Sequence, residues 1–260
     1  MTKQLLYYER AVPVTLERHR DWSLEPRKTY EFADHANAVP IVVAEFPPAA
    51  QDYGIVFTGS AEQAFPAVAL GLKPDENLFV DSEGRWTANY IPAFVRRYPF
   101  VFAKSSDESQ FILCIDEAYD GWNQAGRGQP LFDANGEQSE FLGKMMRFVT
   151  EYQKVSNQTS VFCRQLHELE LLEPMTARFK LPSGQAAQLS GFRAVNRETL
   201  KALSGDTLAD LSKSGALELI YAHLLSLRNI GVMVARARGE EPDAPLPDDW
   251  ATVKPGHTTH

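Results

Sequence analysis

The sequence predicts an α+β fold in which an antiparallel-rich sheet region in the N-terminal half packs against helices of the C-terminal half. In residues 1–135, short apolar or alternating runs are separated by Gly, Pro, Asn and Asp, which is the pattern of strands and turns. From residue 139 onward, apolar residues recur every three or four positions, which is the period of a helix. We therefore expect one domain over residues 1–238, strand-rich over 1–135 and mainly helical over 139–238.

The candidate strands of the first half are short because prolines flank several of them. Proline lacks the N–H that a β-ladder needs, so long regular strands are not expected there. Residues 81–84 have the composition of a hairpin turn, since Gly84 can adopt a positive φ, and residues 105–109 should form a second turn. The candidate strands are residues 4–8, 41–45, 54–57, 67–70, 78–80, 100–103 and 111–115.

The second half begins with a long helical pattern over residues 139–172, which should end before Pro174. Its middle, residues 155–160, is rich in Ser, Asn, Gln and Thr. These residues favour local side-chain hydrogen bonds, so a kinked helix or two stacked helices is an open alternative. A hairpin and three helices follow; Asp206 should cap the second helix and Gly215 should end it. The hairpin strands are residues 177–181 and 187–195, and the helices are residues 198–203, 207–213 and 216–238.

The balance of charge argues against a protein that binds nucleic acid. The chain has 260 residues, of which 26 are Lys or Arg and 34 are Asp or Glu, for a formal net charge of −8. Neutralising phosphates needs a basic face, which the sequence does not indicate. Half of the negative charge lies in the Pro-rich segment 239–260, which holds five acids and one base, a net of −4. We expect this segment to be a disordered acidic tail.

We expect a cytoplasmic protein without a membrane span, although export by a leaderless route stays open. The apolar run at residues 5–8 is too short for the core of a signal peptide. The most apolar stretch, residues 220–235, is interrupted by a histidine, an arginine and an asparagine. Cys114 and Cys163 lie in apolar contexts and should pack as small hydrophobic residues.

No motif in the sequence points to a metal or a cofactor. The histidines form no HxH or HxxxH pair, and the two cysteines form no CxxC pair. Residues 133–137 begin like a calcium loop, but Lys144 stands where a bidentate Glu would be required, so a β-turn is favoured. The glycines of residues 121–128 lack the spacing of a phosphate-binding loop. We therefore expect neither a metal site nor a cofactor.

The densest unusual stretch is residues 79–100, which we call the Arg/aromatic segment. It contains six aromatic residues, three arginines and two prolines. Arg beside rigid aromatic residues is typical of binding hot spots, because a guanidinium can stack and form paired hydrogen bonds. The alternative is that the aromatic residues fill the core while the arginines pair with acids such as Asp81 and Asp116. The candidate contact residues are Arg85, Trp86, Tyr90, Arg96, Arg97 and Tyr98.

A set of short strings, several of them in this segment, is similar to a known family. The most specific is Tyr-Ile-Pro-Ala-Phe-Val-Arg-Arg-Tyr-Pro-Phe at residues 90–100. Together the strings resemble the bacterial SapC family over about residues 5–235. The others are Glu-Phe at 45–46, Tyr-Gly-Ile-Val-Phe at 53–57, Glu-Asn-Leu-Phe-Val at 76–80, Gly-Arg-Trp at 84–86, Cys-Ile-Asp at 114–116, Gly-Phe at 191–192 and Ile-Tyr-Ala-His-Leu at 220–224.

The resemblance implies a link to a locus for a bacterial surface layer and its secretion. Similar chains are often encoded near flavin-dependent halogenase-like proteins, cupin-like proteins and TonB-dependent receptors. The resemblance supplies no catalytic residues, and a lattice protein would be exported, larger and richer in Thr, Ser and Gly. We therefore expect a non-enzymatic accessory or binding protein of a surface-layer, secretion or nutrient-uptake system, whose Arg/aromatic segment binds a peptide, a protein partner or an anionic small molecule.

The alternative hypothesis is an enzyme, or the partner subunit of one, that acts with halogenase-like or cupin-like neighbours. Its pocket would lie at the junction of sheet and helices, lined by Tyr90, Arg96, Asp116 and His223, because titratable residues within apolar runs mark functional sites. His223 has a plainer interpretation as a hydrogen-bonded histidine of the core. A homodimer through an edge strand or through the helix over residues 216–238 is left open.

Overall fold

The computed structural model describes residues 6–26, 29–60, 62–104, 111–180 and 186–237. Its mixture of antiparallel sheets and helices confirms the α+β class. The predicted acidic tail over 239–260 and the predicted turn over 105–109 lie outside the described residues.

The described residues form eleven strands, eight α-helices and two short 3-10 helices. The strands are β1 (Ala11–Pro13), β2 (Ser23–Leu24), β3 (Ala38–Pro40), β4 (Ile55–Thr58), β5 (Phe65–Ala69), β6 (Phe100–Lys104), β7 (Phe111–Asp116), β8 (Trp122–Asn123), β9 (Gln129–Pro130), β10 (Leu172–Lys180) and β11 (Ala186–Val195). The α-helices are α1 (Leu16–His19), α2 (Phe46–Asp52), α3 (Ala93–Arg96), α4 (Glu140–Glu168), α5 (Arg197–Lys201), α6 (Gly205–Lys213), α7 (Ala216–Ser226) and α8 (Arg228–Ala237). The 3-10 helices are Glu31–Ala33 and Val43–Glu45.

A five-stranded antiparallel sheet in the order β10-β11-β4-β5-β3 joins the two halves of the chain. The hairpin of β4 and β5 pairs Val56 with Ala67, and β11 meets β4 where Arg193 lies opposite Phe57. The hairpin predicted in the second half therefore extends the sheet of the first half. α7 packs on β4 and β11, and α2 packs on α7, which places the main hydrophobic core between this sheet and the helices.

Two smaller sheets, β1-β7-β6 and β8-β2-β9, surround a second hydrophobic core. α4 spans both cores: Leu142 and Val149 enter the smaller one, and Phe162 and Leu166 enter the main one. Ser139 starts this helix, because its hydroxyl accepts the N–H of Leu142 at 3.1 Å. This single helix of 29 residues therefore contributes side chains to both cores of the described fold.

α4 runs unbroken through the stretch where a kink or two stacked helices was an alternative. The hydroxyls of Thr159 and Ser160 donate to carbonyls four residues earlier, at 2.8 and 3.1 Å, and so they bond inside the helix without ending it. Thr159 also accepts the N–H of Val43 at 3.0 Å. The helix ends at Glu168, ahead of the predicted stop, where Glu170 adopts a left-handed conformation with a φ of 53°. Pro174 instead lies in β10, an edge strand that tolerates a missing donor.

Several local predictions are wrong. Within the predicted strand 4–8, the described residues 6–8 contain a turn and no strand. Residues 41–45 contain the 3-10 helix Val43–Glu45, whose turn is closed by the Val42 N–H donating to the Glu45 carboxylate at 2.9 Å. Residues 78–80 contribute only an isolated bridge, between Val80 and Trp86. Ser204, rather than Asp206, caps α6: its hydroxyl accepts the Thr207 N–H at 3.1 Å.

The stretch predicted as one helix from residue 216 is divided at Leu227 into α7 and α8. Polar side chains at this junction bind neighbouring backbone. The Ser226 hydroxyl accepts the Ile55 N–H at 2.9 Å, and the Asn229 amide donates to the Tyr53 carbonyl at 3.1 Å. These hydrogen bonds therefore hold α7 and α8 against β4 and the end of α2.

The apolar character of this helix pair corresponds to packing within the fold. Ala216–Ala237 is long and apolar enough to cross a membrane by length and composition, with a mean hydropathy of 1.3, and half of it is buried inside the protein. The core helix of a soluble protein can have the same length and apolar composition, so these properties are weak evidence for a membrane span. 

Both cysteines are buried, as the sequence predicts. Cys114 lies in β7 and Cys163 in α4, next to apolar neighbours. Burial raises the pKa of the Cys114 thiol and raises that of Cys163 to about 12. Both side chains therefore pack as small hydrophobic groups.

Candidate functional site

The Arg/aromatic segment begins with the predicted tight turn. One carboxylate oxygen of Asp81 accepts the N–H groups of Glu83 and Arg85, each at 2.9 Å, and Gly84 has a φ of 74°. The guanidinium of Arg85 is exposed and forms ion pairs with Asp81 and Glu83, both at 2.9 Å. Arg85 therefore lies at the surface with its charge balanced by the turn itself.

Trp86 is anchored to the main core through Tyr53. The Trp86 indole N–H donates to the Tyr53 hydroxyl at 2.7 Å, and that hydroxyl donates to the Tyr90 carbonyl. Tyr53 is buried, and its ring packs on Phe79 with the centroids 4.8 Å apart. These contacts hold the middle of the segment rigidly and leave Trp86 half-buried.

A buried carboxylate supports the next part of the segment. Glu45 accepts the Tyr90 hydroxyl at 2.9 Å and the Ala93 N–H at 2.7 Å through one oxygen. Burial raises the pKa of Glu45, although the hydrogen bonds from Ala93, Val42 and Tyr90 oppose that shift. Burial and the Glu45 charge also raise the pKa of Tyr90 to about 12. Tyr90 is therefore a neutral donor with a fixed orientation.

Arg96 lies at the surface next to Tyr90, whose hydroxyl is bound by Glu45. Its Nε donates to the Ile91 carbonyl at 2.9 Å, and Nη2 is 3.4 Å from the Tyr90 hydroxyl. The guanidinium carbon is 5.7 Å from the centre of the Tyr90 ring and 5.5 Å from that of Phe148. An exposed cation is thus held in one place between two aromatic rings.

Arg97, the next residue, is buried, with 2% of its surface exposed. Its guanidinium carbon lies 4.2 Å from the centre of the Phe94 ring and 5.1 Å from that of Tyr152. A side-chain hydrogen bond joins it to Tyr8. The two arginines at the end of α3 therefore occupy opposite environments, one at the surface and one in the core.

Tyr98 forms a wall of an open cleft of about 230 Å³. Its ring stacks on Phe32, with centroids 4.4 Å apart, and meets Tyr119 almost perpendicularly at 5.3 Å. Its hydroxyl donates to Asp116 at 3.3 Å, and burial together with the Asp116 charge raises its pKa. The cleft is lined by Thr29, Glu31, Phe32, Tyr98, Ala118, Tyr119 and Asp120.

A buried ion cluster anchors the chain just before the cleft residues 118–120. Glu117 accepts hydrogen bonds from Arg18 and His19, the latter at 3.0 Å, and forms an ion pair with Arg10 at 3.1 Å. Burial alone would raise the pKa of Glu117, but the hydrogen bonds from Arg18 and His19 and the arginine charges hold it below its usual value. The cluster fixes one wall of the cleft to α1.

Asp116 and His223, the residues of the alternative pocket, are both saturated by structural hydrogen bonds. Asp116 accepts the N–H groups of Glu9 and Arg10, each at 2.9 Å, besides the Tyr98 hydroxyl. His223 bonds the Ile55 carbonyl through Nδ1 at 2.9 Å and the Val195 N–H through Nε2 at 3.0 Å. Tyr90 and Arg96 are brought together, whereas the polar contacts of His223 are with β4, β11 and its own helix.

Comparison with known proteins places the chain in a family. A model of the SapC protein family matches residues 14–233 of the 260-residue chain. The chain belongs to the SapC family. Searches of the curated proteins and of the solved structures each returned no match. The SapC match includes the whole Arg/aromatic segment and every residue that lines the cleft.

Sequence reasoning did not identify several residues that support the Arg/aromatic segment or line the cleft. Glu45 was predicted only as the end of a strand and as part of the resemblance, although a Glu between apolar residues just before Phe-Pro-Pro was a detectable signal of a buried acid. Phe32 and Tyr119 had no signal, because 66 and 21 residues separate them from Tyr98. Of the predicted contact residues, Arg85 and Arg96 are exposed, Trp86, Tyr90 and Tyr98 are partly buried, and Arg97 is buried.

Proposed function

We propose that this SapC-family chain is a non-enzymatic accessory or binding protein of a bacterial surface-layer, secretion or nutrient-uptake system. It acts inside the cell and binds a peptide, a protein partner or an anionic small molecule through the Arg/aromatic segment, with Arg96 as the central contact. Family membership supports the biological setting. The fixed and exposed guanidinium of Arg96 is the observation that carries the binding role.

The geometry of Arg96 suits a binding residue because its position is already determined before a ligand arrives. The bond from Nε to the Ile91 carbonyl and the rings of Tyr90 and Phe148 restrict the side chain. Within the described part of the chain its remaining N–H groups have no hydrogen-bond partner, so they can meet a carboxylate, a phosphate or a peptide carbonyl. A restricted side chain loses less conformational entropy on binding, which favours affinity.

The environments of Asp116 and His223 support a binding role over catalysis. A general acid or base must exchange a proton with a ligand, and the ring nitrogens of His223 are both engaged by backbone groups. The Asp116 carboxylate is fully buried and accepts the N–H groups of Glu9 and Arg10. The hydrogen bonds that both residues make within the fold therefore account for their burial.

The test compares Arg96→Ala with a matched surface change, Arg127→Ala. Arg127 is similarly exposed and makes an ion pair with Glu25 at 3.0 Å, away from the Arg/aromatic segment. Each full-length protein is immobilised, exposed to lysate of its own bacterium, and the captured proteins are identified by mass spectrometry. We expect a surface-layer, secretion or uptake component to be captured by the original chain and by Arg127→Ala, and depleted about tenfold or more with Arg96→Ala.

Thermal unfolding of the same three proteins controls for loss of fold, and we expect melting temperatures that agree to within a few degrees. Native mass spectrometry of the three purified proteins detects an anionic small molecule that binds through Arg96. Equal capture by Arg96→Ala, together with no small molecule that depends on Arg96, would contradict the proposal.

A further inference from the structure

We propose that the acidic tail, residues 239–260, binds the Arg/aromatic segment of the same chain, where Asp248 and Asp249 pair with Arg96. The tail then occupies this surface while no partner is bound, and an outside ligand has to displace it. Because the contact uses the same guanidinium, it rests on the proposed function of Arg96 as an anion-binding residue.

The last turn of α8 lies against the Arg/aromatic segment. The guanidinium carbon of Arg236 is 4.9 Å from the centre of the Phe79 ring, and its Nη1 is 3.4 Å from the Thr87 hydroxyl oxygen. Both partners belong to the Arg/aromatic segment, and α8 ends one residue after Arg236. The chain that leads into the acidic tail therefore departs from the same surface that carries Arg96.

The acidic tail is long enough to reach Arg96. Tyr90 is three residues after Thr87, which is at most about 11 Å along the backbone. The guanidinium carbon of Arg96 lies 5.7 Å from the centre of the Tyr90 ring. Asp248 is eleven residues after Ala237, a stretch that spans about 36–40 Å when fully extended and about 17–20 Å as a coil. Asp248 can therefore meet Arg96 without any movement of α8.

Charge selects Arg96 among the three arginines of the segment. Arg85 already forms ion pairs within its own turn, and Arg97 is buried. Arg96 is exposed, and among the described residues no carboxylate forms an ion pair with it. The acidic tail supplies the opposite charge, since it holds five acids and one base. A guanidinium binds carboxylates through paired hydrogen bonds, which favours the two adjacent acids at 248 and 249.

Tethering makes this otherwise weak contact effective. An exposed ion pair changes an equilibrium constant by only about two- to fivefold. A short connection, however, presents the tail to the surface at an effective concentration on the order of millimolar. An outside ligand that needs Arg96 should therefore bind about two- to fivefold more weakly while the tail carries its acids.

The first experiment attaches a nitroxide spin label close to the two acids, through Thr252→Cys in the full-length protein. Both native cysteines are buried, so the new thiol takes the label. The label broadens NMR signals near it, and the Nε–H signals of the arginines report which side chains the tail approaches. We expect the Arg96 signal to lose most of its intensity. Arg127, whose Nε donates to Glu25 at 3.0 Å, should keep its signal. Broadening of both signals alike, or of neither, would overturn the proposal.

Two pairs of substitutions then test whether these acids make the contact. Asp248→Asn with Asp249→Asn should restore the Arg96 signal of the spin-labelled protein, because the amides carry no charge. Glu168→Gln with Glu170→Gln removes two exposed acids at the end of α4, about 30 Å along the helix from the aromatic ring beside Arg96. This control should leave the broadening unchanged. Restoration by both pairs would show a nonspecific effect of net charge and overturn the site.

A mixture distinguishes the tail of the same chain from that of a second copy. Isotope-labelled protein without the spin label is combined with an equal amount of spin-labelled protein that has no isotope label. We expect Arg96 to keep its intensity in this mixture. Broadening as strong as in the protein that carries both labels would identify a contact between copies and overturn the contact within one chain.

A peptide probe measures the competition. The capped peptide Pro-Asp-Asp-Trp-Ala, which copies residues 247–251, is titrated into the full-length proteins without a spin label, and the Arg96 Nε–H shift reports binding. We expect the chain with Asp248→Asn and Asp249→Asn to bind the peptide about two- to fivefold more tightly than the original chain. Equal affinities, or no shift in either chain, would overturn the proposal. The capture experiment with Arg96→Ala uses an unchanged tail, so the proposed function and this contact can fail separately.

Discussion

Replacing Arg97 with Ala is expected to lower the free energy of unfolding by about 3 kcal/mol or more, whereas Arg96→Ala is expected to cost less than about 1 kcal/mol. The side chain of Arg97 is one of the largest that are fully buried in the described part of the chain. Its removal leaves a cavity between Phe94 and Tyr152 and takes away the hydrogen bond to Tyr8. Arg96 is exposed, so its loss exposes no core.

Urea-induced unfolding of the two alanine variants measures this difference directly. Arg97→Met is the informative third variant, because Met fills most of the volume but cannot donate a hydrogen bond or stack as a cation. If packing dominates, Arg97→Met should lose less than half of what Arg97→Ala loses. Similar losses for Arg96→Ala and Arg97→Ala would contradict the assignment of one arginine to the core and the other to the surface.

The same pair of residues shows what sequence reasoning could and could not predict. The Arg-Arg string was recognised as unusual, but successive residues at a helix end point about 100° apart, and only the packing of α3 decides which one enters the core. The binding and core interpretations of the Arg/aromatic segment were posed as alternatives for all its residues. The structure divides them residue by residue, with Arg96 at the surface and Arg97 inside.

Local periodicity predicted the elements that depend on neighbours in sequence. The strands β4 and β5, the long helix α4 and the hairpin of β10 and β11 were all expected from spacing and turn composition. The pairing of β11 with β4 was not predictable, since it joins residues more than a hundred positions apart. The cleft was missed for the same reason, because its three aromatic rings come from distant parts of the chain.

The stability of the fold should fall as the pH is lowered from about 6.5 to about 4, and His223 should contribute about 3 kcal/mol to that loss. Burial lowers the pKa of His223 from 6.5 to about 4, although its hydrogen bond with Ile55 opposes the shift. Below about pH 6.5 the unfolded chain takes up a proton on this histidine while the folded chain does not. The free energy of unfolding therefore decreases through this window and stops decreasing, for this group, once the folded protein is protonated near pH 4.

The contribution of His223 is measured as the difference between pH profiles of the free energy of unfolding for the original chain and for His223→Gln. His35→Gln is the matched control, because the His35 side chain is 81% exposed. If His223→Gln does not fold, the His223 ring protons can be followed by NMR in the original chain. A ring that titrates near pH 6.5 would contradict the prediction. A ring that stays neutral to about pH 4 would mean that Nε2 continues to accept the Val195 N–H, so that α7 remains attached to β11 across the whole range.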